Sequence, residues 1–107
     1  MHKAGPEIKK IIKEYKKSLL ARGIRINRIV LYGSYAIGRQ RQDSDIDLIV
    51  VSNDFQKMNL RERLEVLGVA AVRIKKPIEA RGYTPAEVKS ASKISFLNEA
   101  LRLGIRI

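Results

Sequence analysis

Apolar residues recur along this chain first at helical spacing, then in two short unbroken runs, then at helical spacing again, a succession that predicts an alternating α/β layout. Ile8, Ile11, Ile12, Tyr15 and Leu19 fall on one face of a helix that Pro6 opens and Gly23 closes. The runs Asn27 to Tyr32 and Ile46 to Ser52 read as buried strands. After a turn at Asn53-Asp54, Leu60, Leu64, Leu67, Ala71 and Ile74 mark a second long helix, ended by Pro77. Val66, Val69 and Val72 widen its apolar face enough that burial on more than one side is expected. Ile78-Glu79-Ala80-Arg81-Gly82-Tyr83 then alternates as a strand does.

A strand, helix, strand connection normally returns parallel to its start, which sets the strand of Glu79 beside the strand that opens at Ile46. Thr84-Pro85-Ala86-Glu87 combines a capping box with proline at the first helical position, so a further helix starts there. Ile94, Phe96, Leu97, Ala100, Leu101 and Leu103 carry apolar character on to Gly104, and Ile105-Arg106-Ile107 reads as a short edge strand. Core packing is the expectation for this tail. An exposed partner-binding patch, here or along Val66 to Val72, is the alternative in so small a chain.

Composition narrows the chemistry. With 107 residues, 45% hydrophobic and 31% charged, the chain is expected to form a single domain over 1–107. The absence of cysteine excludes disulfides and thiolate metal sites, and the sole histidine, His2, excludes histidine triads and clusters. No apolar run approaches a signal core or a membrane span, so a cytoplasmic protein with no membrane partner is expected. The net charge of +11 favours an anionic partner or substrate. Lys9, Lys10, Lys13, Lys16 and Lys17 fit equally a solvated helix face, and with few aromatics to stack on bases a nucleic-acid role is not favoured.

The candidate chemistry lies between the two apolar runs. Gly33-Ser34 follows the first run and stands ten residues ahead of Asp45-Ile46-Asp47, which opens the second. Residues two apart on a strand share a face, so Asp45 and Asp47 project together while Ile46, Leu48 and Val50 project to the other side. Two such carboxylates repel unless a cation sits between them, and magnesium suits an all-oxygen site shared with substrate phosphates. Gly33 permits a sharp turn with close approach to a ligand, and free N–H groups of the turn from Ser34 to Gly38 would suit an anion. Ser44 reads as a residue that steadies the turn or the adjacent carboxylate. Tyr32 and Tyr35 flank the turn, either as packing or as a surface for a base.

Gly-Ser-x10-Asp-x-Asp, with a strand before and an apolar strand after, resembles the signature of the polymerase-beta-like nucleotidyltransferase superfamily, and at this length its minimal nucleotidyltransferase (MNT) group. The likeness is strongest from Arg28 to Val51 and continues more weakly through Pro77 to Pro85. It implies a small mixed β-sheet flanked by helices, and transfer of a nucleotide from a nucleoside triphosphate to a hydroxyl with release of pyrophosphate. Asp45, Asp47 and Glu79 would be the catalytic carboxylates and would hold one or two Mg2+ ions. Gly33, Ser34, Arg39 and Ser44 would bind the nucleotide. The group often reads Gly-Ser-x-Ala-Arg-Gly, and this chain has Ile37 in place of that arginine, with Arg39 as the substitute two positions on.

The resemblance further implies ATP as donor and a small helical HEPN-type partner: MNT proteins of this kind often act as antitoxins that adenylylate a tyrosine of an RNase toxin. Oligomerisation stays open. Two other classes compete with the enzyme reading. One is a catalytically weak module of the same fold that neutralises a partner by occlusion. The other is a basic RNA-binding protein in which the motif is coincidental.

Overall fold

The computed structural model describes residues 5–92 and 95–107; His2 and Ile94 lie outside the described residues. Helix α1 spans Pro6–Ala21, with proline in its first turn and Ile8, Ile11, Ile12, Tyr15 and Leu19 buried, the face given by its periodicity. Strands β1 (Arg28–Tyr32) and β2 (Ile46–Val51) follow, then α2 (Leu60–Ala70) and β3 (Ile78–Tyr83). Helices α3 (Pro85–Ser90) and α4 (Phe96–Leu103) and the two-residue strand β4 (Ile105–Arg106) complete the order. The expected capping box holds at the start of α3: Glu87 N–H donates to Thr84 Oγ1, and Thr84 N–H to Glu87 Oε1.

The strands form one mixed sheet in the order β3-β2-β1-β4. β1 pairs antiparallel with β2 and β4, and β2 pairs parallel with β3, as the strand, helix, strand connection requires. Alternation along the strands divides the side chains between two faces. Ile29, Leu31, Ile46, Leu48 and Val50 join α1 and Leu67 and Ala70 of α2 in the larger core. Val30, Ile49 and Val51 meet Leu97 and Ala100 of α4 on the other side. The expected α/β class, a small mixed sheet flanked by helices, is the observed one.

α2 departs from the expectation. It ends at Ala70 instead of continuing to Ile74, and among its large apolar side chains Leu60, Leu64 and Val69 are exposed, as is Val72 in the following turn. The cause is that α1 and the sheet cover only one side of it. Tyr15 Oη donates to Leu67 O and Ser18 Oγ to Ala70 O, each at 2.8 Å, which fixes the row that faces inward. The tail is also only partly core: Leu97 and Ala100 are buried, whereas Phe96 and Leu103 are exposed.

Arg63 locks α2 to the far end of β3. It donates to Met58 O and Gly82 O, and reaches Glu87 Oε1 at 2.7 Å. That hydrogen bond, with help from Thr84 N–H, holds the Glu87 carboxyl below its ordinary pKa of 4.5. A depressed folded pKa means that the stabilisation is present above pH 4.5 and is lost as pH falls through the lowered value. Because the Glu87 side chain is 44% exposed, the expected loss of unfolding free energy in Glu87→Gln at pH 7 is only about 0.5–1 kcal/mol. Urea titrations of both proteins should show the difference shrink below pH 4; a difference constant from pH 3 to 7 would contradict it.

Candidate active site

β1 runs into a 3-10 turn at Gly33–Tyr35, and the position of Asp47 is tied to that turn. Tyr32 is the cross-strand partner of Asp47 in the antiparallel pair, so Gly33 passes directly over the carboxylate. Gly33 has φ +74°, and a Cβ built on it would collide with Asp47 Oδ2 and lie 3.1 Å from Asp47 Cγ. Glycine is needed here for its conformation and for its missing side chain. Tyr35 and Ala36, both buried, anchor the turn, which settles Tyr35 as packing. Ile37, Gly38, Arg39, Gln40 and Arg41 lie exposed beyond it.

The loop into β2 is closed locally. Ser44 Oγ accepts from Arg41 N–H at 2.7 Å, and Ser44 N–H donates to Arg41 O at 3.1 Å. Ser44 is thus placed as a turn-steadying residue next to Asp45. Arg39 N–H donates to Ser34 O at 2.9 Å, while its side chain is exposed and forms no ion pair among the described residues.

The three candidate carboxylates come to one face of the sheet. Asp47 and Glu79 are register partners in the parallel pair, with Asp47 half-buried and Glu79 exposed. Asp45, exposed, stands just before β2. Burial pushes the Asp47 pKa above its ordinary 3.8; the charges of Glu79 and Asp45 push the same way, and Arg81 opposes them. Among the described residues no three acidic or histidine side chains are close enough to form a ready-made metal cluster. The donor set fits a hard divalent cation: carboxylate oxygens in mutual repulsion, with neither imidazole nor thiolate.

Arg81 belongs to this face and was not singled out from the sequence. It follows Glu79 by two positions on β3, so the alternation that placed Glu79 placed it as well. Its guanidinium lies 4.6 Å over the Phe96 ring, and Phe96 meets Tyr32 edge to face at 5.5 Å. Burial raises the Tyr32 phenol, helped by the charge of Asp47 and opposed by Arg81. Beside these rings a cleft of about 280 Å³, lined by Tyr32, Ala36, Ile37, Phe96, Ala100 and Leu103, opens next to Gly33.

A mixed sheet that presents a Gly-Ser turn on one strand and Asp-x-Asp on the next defines a nucleotidyltransferase of the minimal, MNT type. The nucleotidyltransferase domain family matches residues 7–103, and the chain belongs to that family. It is 29% identical over 103 residues to a Methanocaldococcus jannaschii protein named "putative protein adenylyltransferase", covering 94% of this chain and 99% of that one. A second protein of that organism with the same name is 38% identical over 61 residues, 57% of this chain and 60% of its own length. A crystal structure of a toxin–antitoxin with AMP-PNP superposes with TM-score 0.59 at 28% identity, covering 92% of this chain and 69% of that one. A mutant of the toxin–antitoxin MntA-HpeT with two aspartates changed to glutamate superposes with TM-score 0.57 at 26% identity, with the same coverage of both chains. The family generally uses a divalent metal.

Gly33→Ala adds a Cβ against the Asp47 carboxylate and forces alanine into a backbone region that disfavours it by about 1–2 kcal/mol. The variant is expected to lose nucleotidyl transfer by about 100-fold, the scale on which a misplaced reacting group acts. Initial rates of label transfer on the folded variant check this. A rate near that of the natural chain would show that the fit of Asp47 against the turn is not required.

Proposed function

We propose that this chain is a magnesium-dependent protein adenylyltransferase that moves AMP from ATP to a tyrosine hydroxyl of a small helical HEPN RNase toxin, and so serves as its antitoxin. One observation carries the reading: Asp47 is held against the Gly33-Ser34 turn and level with Glu79, so that donor phosphates, metal and acceptor can meet over one sheet face. The names of the similar proteins support protein as the acceptor and a toxin as the partner.

In this mechanism the Gly33-Ser34 turn holds the outer phosphates and aims the α-phosphorus at the acceptor. Asp45, Asp47 and Glu79 would hold one or two magnesium ions, which when bound would supply positive charge to the transferred phosphoryl group. Glu79 accepts the phenolic proton. The tyrosine oxygen forms its bond to the α-phosphorus as the bond from that phosphorus to the bridging oxygen breaks, and pyrophosphate leaves with the bonding pair. Ser44 keeps the loop that delivers Asp45 in place, and Arg39 is a second phosphate contact.

A second reading is favoured by Ile37 and by the exposed apolar residues of α2. In it the chain keeps the fold but acts by occluding its partner. The deciding experiment is label transfer from α-phosphate-labelled ATP with magnesium, using protein co-purified from its source lysate, with the double variant Asp45→Asn/Asp47→Asn as control. The adenylyltransferase reading expects a labelled protein band that vanishes in the variant and in EDTA, and whose label resides on tyrosine. No labelled product with any of the four nucleotides would overturn it in favour of occlusion.

A further inference from the structure

The nucleotide triphosphate carries several negative charges, and the position where MNT proteins often place an arginine holds Ile37. Arg39 is the nearest substitute along the sequence, yet it stands on an exposed loop beyond Gly38 with no ion pair among the described residues to orient its side chain. Arg81 is arranged differently. Its backbone is fixed by the parallel pairing of β3 with β2, where it is the register partner of Ile49, two residue pairs beyond Asp47 and Glu79 and so on the same face. The Phe96 ring supports the guanidinium from one side at 4.6 Å, and Phe96 is itself braced edge-on by Tyr32, the cross-strand partner of Asp47. Tyr32 and Tyr83 on the same face also hydrogen-bond the guanidinium, and the side chain remains exposed, so the edge turned to solvent is open to a ligand. A guanidinium stacked in this way has lost part of its freedom before a phosphate arrives, and its planar fork matches phosphate oxygens.

We propose that Arg81 is the principal phosphate-binding cation of this enzyme, taking from the other side of the carboxylates the part that Ile37 cannot play and leaving Arg39 secondary. The inference rests on the nucleotidyltransferase site being the one read above. Arg81 touches a phosphate oxygen of the nucleotide, and Phe96 acts through Arg81 as a positioning residue. The alternative for the same geometry is that the stack only fastens β3 to α4. That role would not distinguish a nucleotide from a nucleoside.

The test compares equilibrium affinities for ATP and for adenosine, each with magnesium, in the natural chain, Arg81→Gln, Arg81→Lys and Arg39→Gln, measured by calorimetry on the full chain. Arg81→Gln is expected to weaken ATP about tenfold or more while leaving adenosine within about twofold. Arg81→Lys should fall between it and the natural chain, because the charge remains and the fork does not. Arg39→Gln should shift ATP less than Arg81→Gln. Equal losses for ATP and adenosine in Arg81→Gln, or no loss, would overturn the proposal, as would a larger ATP effect from Arg39→Gln. If the natural chain itself binds ATP no better than adenosine, the site reading falls with it. Failure confined to the Arg81 variants leaves that reading standing.

Discussion

Repulsion among the carboxylates on one sheet face is the constraint around which this small protein is organised. Asp47 is half-buried, stands level with Glu79 on the neighbouring strand and feels the charge of Asp45 as well. A chain selected only for stability would not place these groups together, since burial and then the charges of Glu79 and Asp45 disfavour ionisation of Asp47. The rest of the fold holds them in spite of this. The parallel pairing of β2 and β3 fixes the register, the apolar faces of both strands are buried against α1, α2 and α4, and Gly33 leaves room for Asp47 by having no side chain. In the proposed function a divalent cation and a nucleotide would offset this cost.

The same economy appears in the cations around the site. Arg81 lies on the sheet face of Asp47 and Glu79, and its stack on Phe96 ties α4 to that face. The tail helix therefore contributes in two ways. Leu97 and Ala100 bury the lower part of the sheet face, and Phe96 supports a charge at its upper edge. On the opposite side, α1 and α2 supply the bulk of the core, and Arg63 of α2 secures the end of β3 through Gly82 O and Glu87.

Much of this was legible in the sequence because it depends on local periodicities. Alternation put Asp45 and Asp47 on one face, the ten-residue spacing from Gly33-Ser34 pointed to the site, and a strand, helix, strand order implied the parallel neighbour that carries Glu79. The exposed side of α2 was not legible. Leu60, Leu64 and Leu67 share one apolar row, and only tertiary packing decides that Leu67 is covered while Leu60 and Leu64 are exposed. Arg81 was overlooked for a different reason: alternation gave its face, but its support by Phe96 joins residues fifteen apart in a helix that the sequence read as core. Ser44 was legible as a turn-steadying residue, and its hydroxyl accepts from Arg41 N–H as that reading expects.

The most direct measurement is the unfolding free energy of the natural chain and of Asp47→Asn, from pH 3 to 7, in EDTA and in magnesium. The Asp47 pKa lies above its ordinary 3.8, so the cost of its charge is absent in acid and grows as pH rises through the raised value. In EDTA at pH 7 the Asn variant is expected to be the more stable of the two, with the gap closing towards pH 3. Magnesium is expected to stabilise the natural chain and leave the variant nearly unchanged. A variant less stable than the natural chain in EDTA at pH 7, or equally stabilised by magnesium, would contradict the view that this fold confines repelling carboxylates for a metal.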